Sequence, residues 1–185
     1  MRFTSTSNRY RNTSGFTIIE LVAVIAILSI LSAVALPRFI NIQNQSHEAN
    51  VAATGAALST AVVMARSALL ASGGTGAVDN INFGRNVLDT NSAGWPVTTT
   101  DGLNVMTDHQ GCVELWNALL QNPPSVRAFL SSPEPKFGAS SDTFFMATKH
   151  GGRDQCAYFY RRAPSFSLEI RYDAELGTVT VDSNL

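Results

Sequence analysis

Between Phe16 and Pro37 the chain reads "FTIIELVAVIAILSILSAVALP", and from Leu21 onward that run carries no charged side chain. As a helix rising 1.5 Å per residue, about 20 such residues cross the roughly 30 Å hydrocarbon core of a bilayer. Arg2, Arg9 and Arg11 precede the run with no acid among residues 1–15. The bias of Lys and Arg toward the cytoplasmic side therefore predicts a single pass with a cytoplasmic N-terminus and an exported remainder. Export also places Cys112 and Cys156 where a disulfide can form. From Phe16 onward 10 Lys and Arg face 14 Asp and Glu, without a basic run. The electrostatic footprint of a nucleic-acid binder is missing.

One carboxylate, Glu20, interrupts the apolar run. Two processing schemes compete over it. Ala33-Val34-Ala35 fits the small-residue pattern of a secretory signal cleaved after Ala35, which would discard the helix. Cleavage between Gly15 and Phe16 would instead keep it. An acid costs about 2.5 to 3.5 kcal/mol at a helix centre on insertion scales, and less near the interface. A discarded signal has no use for that expense. A retained helix does, because the cut would create an α-ammonium on Phe16, four residues from Glu20 and on the same helical face. Opposite charges that are each costly in a low dielectric become tolerable as a well-formed pair.

Gly15-Phe16 followed by Thr17-Ile18-Ile19-Glu20-Leu21 and an unbroken apolar helix resembles the N-terminus of a type IV pilin precursor. The resemblance implies a short basic leader removed after Gly15 by a prepilin peptidase, N-methylation of Phe16, and packing of the retained helices into a filament by inner-membrane assembly machinery. It also implies that Glu20 engages the Phe16 amine of a neighbouring subunit and so sets helix register. Type IV filaments commonly unwind just before a proline such as Pro37, often with a glycine upstream. This chain has Ser29 at that place, with Ser32 nearby. Pro37 lacks the N–H that would bond to residue 33, which predicts a bend or a locally melted turn.

Past Pro37 the pattern stays helical. Val51, Gly55, Leu58, Val62, Ala65 and Leu69 recur at spacings of three and four, a stripe that would pack on a domain, and "SGGTG" from Ser72 ends it. A helix from Phe16 to Ser72 would be about 85 Å long. The turns "SAGWP" and "TTTDG" punctuate a loop-rich region, within which "CVELWNALLQNPP" predicts a short helix from Cys112 with Val113, Trp116 and Leu120 on one face. Trp116 reads as core. Strand patterns start at Phe144, Ala157, Phe166 and Thr178, the third alternating Phe166, Leu168, Ile170 and Tyr172 against Ser167, Glu169 and Arg171. Asp173 to Gly177 suits a hairpin connection.

The expected fold is α+β: a long N-terminal helix, half transmembrane and half amphipathic, packed on a small antiparallel sheet of about four strands. The domain division is a leader at 1–15, a membrane or filament-core helix at 16–37, an amphipathic helix at 38–72 and a head at 73–185. Within the head, 73–143 is loop-rich and 144–182 carries the strands. A Cys112–Cys156 bridge would close a loop worth roughly 4 kcal/mol in the chain-entropy model. It resembles the C-terminal disulfide loop of pilins, a region of exposure and adhesion in that family. "GWP" followed by "CVELWNALL" and the Pro123-Pro124 pair further resembles subunits of mannose-sensitive-haemagglutinin-type pili.

No catalytic motif is present, whether G-x-S-x-G, P-loop, dinucleotide fingerprint or H-E-x-x-H, so no enzyme and no cofactor is expected. His47, His109 and His150 stand apart as structural or solvated residues. Asp101, Asn104 and Asp108 supply loop oxygens but match no EF-hand spacing, and no metal site is assigned to them. Arg153 and Asp154 read as a polar turn. The partners implied are other pilin subunits, the prepilin peptidase and methylase, the assembly machinery and the lipid bilayer. The resemblance implies an inner-membrane precursor that becomes an extracellular surface filament for attachment. A pseudopilin of type II secretion shares the same N-terminal signal, and a monomeric membrane-anchored binding domain is a second alternative.

Overall fold

The computed structural model describes residues 15–85, 87–100, 102–106, 108–129, 145–149, 154–163 and 167–184. They fall into two units divided between Ile42 and Gln43. Helix α1, Ile18–Ala71, contributes to both.

In the first unit none of the side chains of α1 is buried, and from Leu21 to Pro37 apolar side chains run around its whole circumference with no charge among them. A helix hydrophobic on every side requires an apolar environment on every side. Its length and composition are sufficient to cross a membrane. The melted turn expected before Pro37 is not formed, since α1 is helical through that residue. Proline removes one bond of the ladder, and the bonds of the turns on either side are enough to keep the helix assigned across it. Ser29 turns its hydroxyl back onto the Ala26 carbonyl at 2.7 Å, so it spends its polarity within the helix.

In the second unit the predicted stripe of α1 is the buried one: Val51, Gly55, Leu58, Val62, Ala65 and Leu69, joined by Ala61. The glycine cluster ends the helix as a Schellman motif. Gly74 N–H bonds to the Leu69 carbonyl at 3.1 Å and Gly73 N–H to that of Leu70 at 3.0 Å, with Gly73 at φ +80°. Two short strands follow, β1 (Asp89–Thr90) and β2 (Pro96–Thr98), paired antiparallel around the "SAGWP" turn. Asn91 organises that turn, its Oδ1 accepting from the N–H of Ala93 and of Trp95, both at 3.0 Å.

Helix α2 spans His109–Leu119, starting three residues before the expected Cys112 because Asp108 caps it, its Oδ1 accepting from Gly111 N–H at 2.8 Å. Strands β3 (Val126–Ala128), β4 (Phe145–Lys149), β5 (Gln155–Tyr160), β6 (Ser167–Asp173) and β7 (Thr178–Asn184) form one sheet in that order. The sheet has five strands where about four were expected. The added strand, β3, lies parallel to β4, whereas the other pairs are antiparallel. The β6–β7 connection is Ala174–Gly177, one residue shorter than expected because Asp173 already pairs with Thr178.

Alternation places Phe145, Tyr158, Ile170 and Tyr172 on one face of the sheet, and both helices cover that face. Trp116 from α2 packs on Tyr158 and Phe145 with ring centroids 4.5 and 5.0 Å away, and its Nε1–H donates to the Pro124 carbonyl at 3.1 Å. Trp116 is therefore core, as the sequence suggested. The phenols of Tyr158 and Tyr172 donate to the carbonyls of Cys112 and Pro96, and burial pushes both pKa values above the ordinary tyrosine range. Of the predicted alternating strand, Leu168, Ile170 and Tyr172 are buried; Phe144 and Phe166 lie outside the described residues.

Candidate functional site

The candidate site is the start of α1. Gly15, Phe16 and Thr17 are non-helical, and the helix opens at Ile18. Thr17 is the N-cap: its carbonyl accepts from Leu21 N–H at 3.2 Å and its hydroxyl from Glu20 N–H at 3.3 Å. Glu20 reciprocates, its Oε2 accepting from both the Thr17 N–H and the Thr17 hydroxyl at 2.8 Å. This is a capping box, in which a Thr and a Glu three residues on satisfy each other's orphan backbone donors. The T-x-x-E spacing stands in "TIIE". Reading Glu20 only as a charge in lipid hides it.

Both side-chain bonds fall on Oε2, and Oε1 accepts none among the described residues. One carboxylate thus has two faces, one committed to its own helix and the other open. Phe16 is 86% exposed, and the Gly15–Phe16 peptide stands outside the helix. Downstream, Ile18, Leu21, Val24, Ile25 and Leu28 are all exposed, a continuous apolar surface of the kind that marks a contact with lipid or protein.

Residues 10–36 match the family described as "Prokaryotic N-terminal methylation motif". The chain carries a type IV prepilin signal. Within that signal the matched span holds Gly15, Phe16, Thr17 and Glu20 and ends one residue before Pro37. The chain is also similar to the type IV narrow pilus major component PilA5 of Thermus thermophilus, 51% identical over 51 residues. That similarity covers 28% of this chain and 44% of the relative, so the chain spans less than half the length of the curated relative it matches. No solved structure gives a significant match.

In the second unit Cys112 and Cys156 are joined in a disulfide, their Cα atoms 5.7 Å apart, tying α2 to β5. Both are fully buried. His47 Nδ1 lies 3.0 Å from the Tyr160 hydroxyl, and His109 Nδ1 accepts from Lys149 N–H at 2.8 Å, so both are structural. His150, Asp101 and Arg153 lie outside the described residues. Asp154 braces a loop, its Oδ1 accepting from Met106 N–H at 3.1 Å. Among the described residues no three His, Cys, Asp or Glu side chains are grouped to hold a metal.

Proposed function

We propose that this chain is a structural subunit of a type IV pilus, held in the inner membrane by the first half of α1 and polymerised through it into a surface filament for attachment. In this reading a prepilin peptidase removes residues 1–15, the Phe16 amine is methylated, and the new ammonium of one subunit meets Glu20 of the next. The observation that carries it is Glu20 itself, within the prepilin signal, bonded through Oε2 alone at the head of a helix whose apolar side chains are exposed throughout its first half. Such a carboxylate can keep its helix start intact while offering Oε1 to a cation, and a helix placed out of step would leave both charges unpaired in a low dielectric. Pro37 would serve packing at the end of the apolar half, and the second unit would form the filament's outer surface.

Glu20→Gln separates the two roles of the carboxylate, because Gln retains the capping oxygen and loses the charge. Electron microscopy of sheared surface material is expected to show long filaments for the native chain and none, or few, for Glu20→Gln and Glu20→Ala, with both variants still in the membrane fraction. Native-like filaments from Glu20→Gln would refute charge pairing as the register device. Short, periplasmic assemblies from the native chain would assign it to secretion.

A further inference from the structure

We infer that a groove on the outer side of α2 binds an acidic saccharide, with Arg85 receiving a sugar carboxylate and Asn117 and Glu114 bonding sugar hydroxyls. The groove follows from how the segment carrying Phe83, Gly84 and Arg85 is held. An antiparallel bridge between Ile81 and Leu88, with Ile81 N–H to the Leu88 carbonyl at 2.8 Å, clamps its two ends. Gly84 adopts φ +58°, and a Cβ at that position would stand 3.6 Å from the Ala118 carbonyl, so the backbone at Gly84 lies against α2.

Two depressions result. One, of about 510 Å³, lies between Phe83, Arg85, Asn117 and Gln121. The other, of about 390 Å³, lies between Arg85, Val87, Thr99, Glu114 and Asn117. They meet at Arg85 and Asn117, which line both. Arg85 is exposed and forms no ion pair or hydrogen bond with the described residues, including Glu114 in the same depression. Glu114 is oriented by the Thr99 hydroxyl, which donates to its Oε2 at 3.0 Å. Phe83, packed against the core, gives the groove an apolar wall.

This set selects among ligands. Arg85 calls for an anion, and its planar fork suits a carboxylate. An anion alone would leave the Asn117 amide unused and gain nothing from the Glu114 carboxylate, whereas hydroxyl groups can donate to the remaining lone pairs of Glu114 and exchange bonds with Asn117. The C–H face of a sugar ring suits the Phe83 wall. A phosphate polymer is disfavoured, because among the described residues Arg85 is the one cation lining either depression and such binding needs several. The groove is open, so one site binds weakly, and useful strength requires many copies on one support. Display of many copies rests on the pilus reading; binding by a single chain does not.

The test uses the full chain in detergent micelles, titrated calorimetrically with tetragalacturonate, its methyl ester and tetraglutamate. Tetragalacturonate is expected to bind, and the uncharged ester and the acidic peptide to bind at least about tenfold more weakly, the scale of one charge-assisted bond. Arg85→Gln should lose about tenfold or more, and Asn117→Ala a smaller factor, while Arg162→Gln, outside the groove, should match the native chain. Unchanged melting temperatures would show that the variants fold. Equal binding of the ester or the peptide, an equal loss in Arg162→Gln, or no uronate binding at all would overturn the proposal. Filaments without uronate binding would refute this inference alone, and uronate binding without filaments would refute the pilus reading alone.

Discussion

At the scale of single residues the account turns on which atom of Glu20 does what. Thr17→Val removes the capping hydroxyl while keeping the side chain's size, and caps of this kind are worth about 1 kcal/mol. Amide exchange at Ile18 to Leu21, measured by NMR in micelles, is expected to speed up in Thr17→Val; unchanged exchange would show that the cap is dispensable. Gly177 is a second pivotal residue. It sits at φ +69° in the β6–β7 turn, and a Cβ there would overlap the ring of Trp95. That ring is held on its own account by the Arg66 guanidinium, 4.0 Å from its centroid. Gly177→Ala is expected to cost at least about 1 to 3 kcal/mol, from strain at positive φ together with the overlap. Denaturant unfolding measures it, and a loss below a few tenths would mean that the turn and the indole simply shift.

At the scale of elements, the disulfide is a covalent cross-link that joins residues 44 apart in sequence on α2 and β5. Reduction, or paired Cys→Ser replacement, is expected to lower stability by up to about 4 kcal/mol in the chain-entropy model. A shift near zero in urea unfolding would place the stability of α2 in the Trp116 cluster instead. The elements also divide by how readable they are. The buried stripe of α1 repeats at three and four residues over nearly twenty positions, and β6 alternates over three buried side chains, so periodicity alone exposes both. Strand β3 has only Val126, Arg127 and Ala128, too short for any period, and it exists because β4 offers a parallel edge. The start of α2 is not legible from periodicity, because the Asp108 cap sets it and His109 and Gln110 add no apolar position to the helix face. At the site, Gly15, Phe16 and Glu20 are legible from local sequence, whereas the commitment of Oε2 to Thr17 requires the three-dimensional turn.

At the scale of the whole molecule, the head's pH response follows from its core. Tyr158 and Tyr172 have pKa values raised by burial above the unfolded value of 10.0. Their contribution to stability is complete below that unfolded value and is lost as pH rises beyond it, because only the unfolded chain ionises them readily. Absorbance at 295 nm is therefore expected to show these two phenols ionising only with unfolding; smooth ionisation of every tyrosine in a chain still folded would contradict their buried placement. The larger claim is that the apolar helix of this chain is a retained polymerisation element whose new N-terminal ammonium is the partner of Glu20. Mass spectrometry of the mature N-terminus tests that most directly. The expected first residue is a methylated Phe16, and a chain beginning at Leu36, or one still carrying residues 1–15, would contradict it.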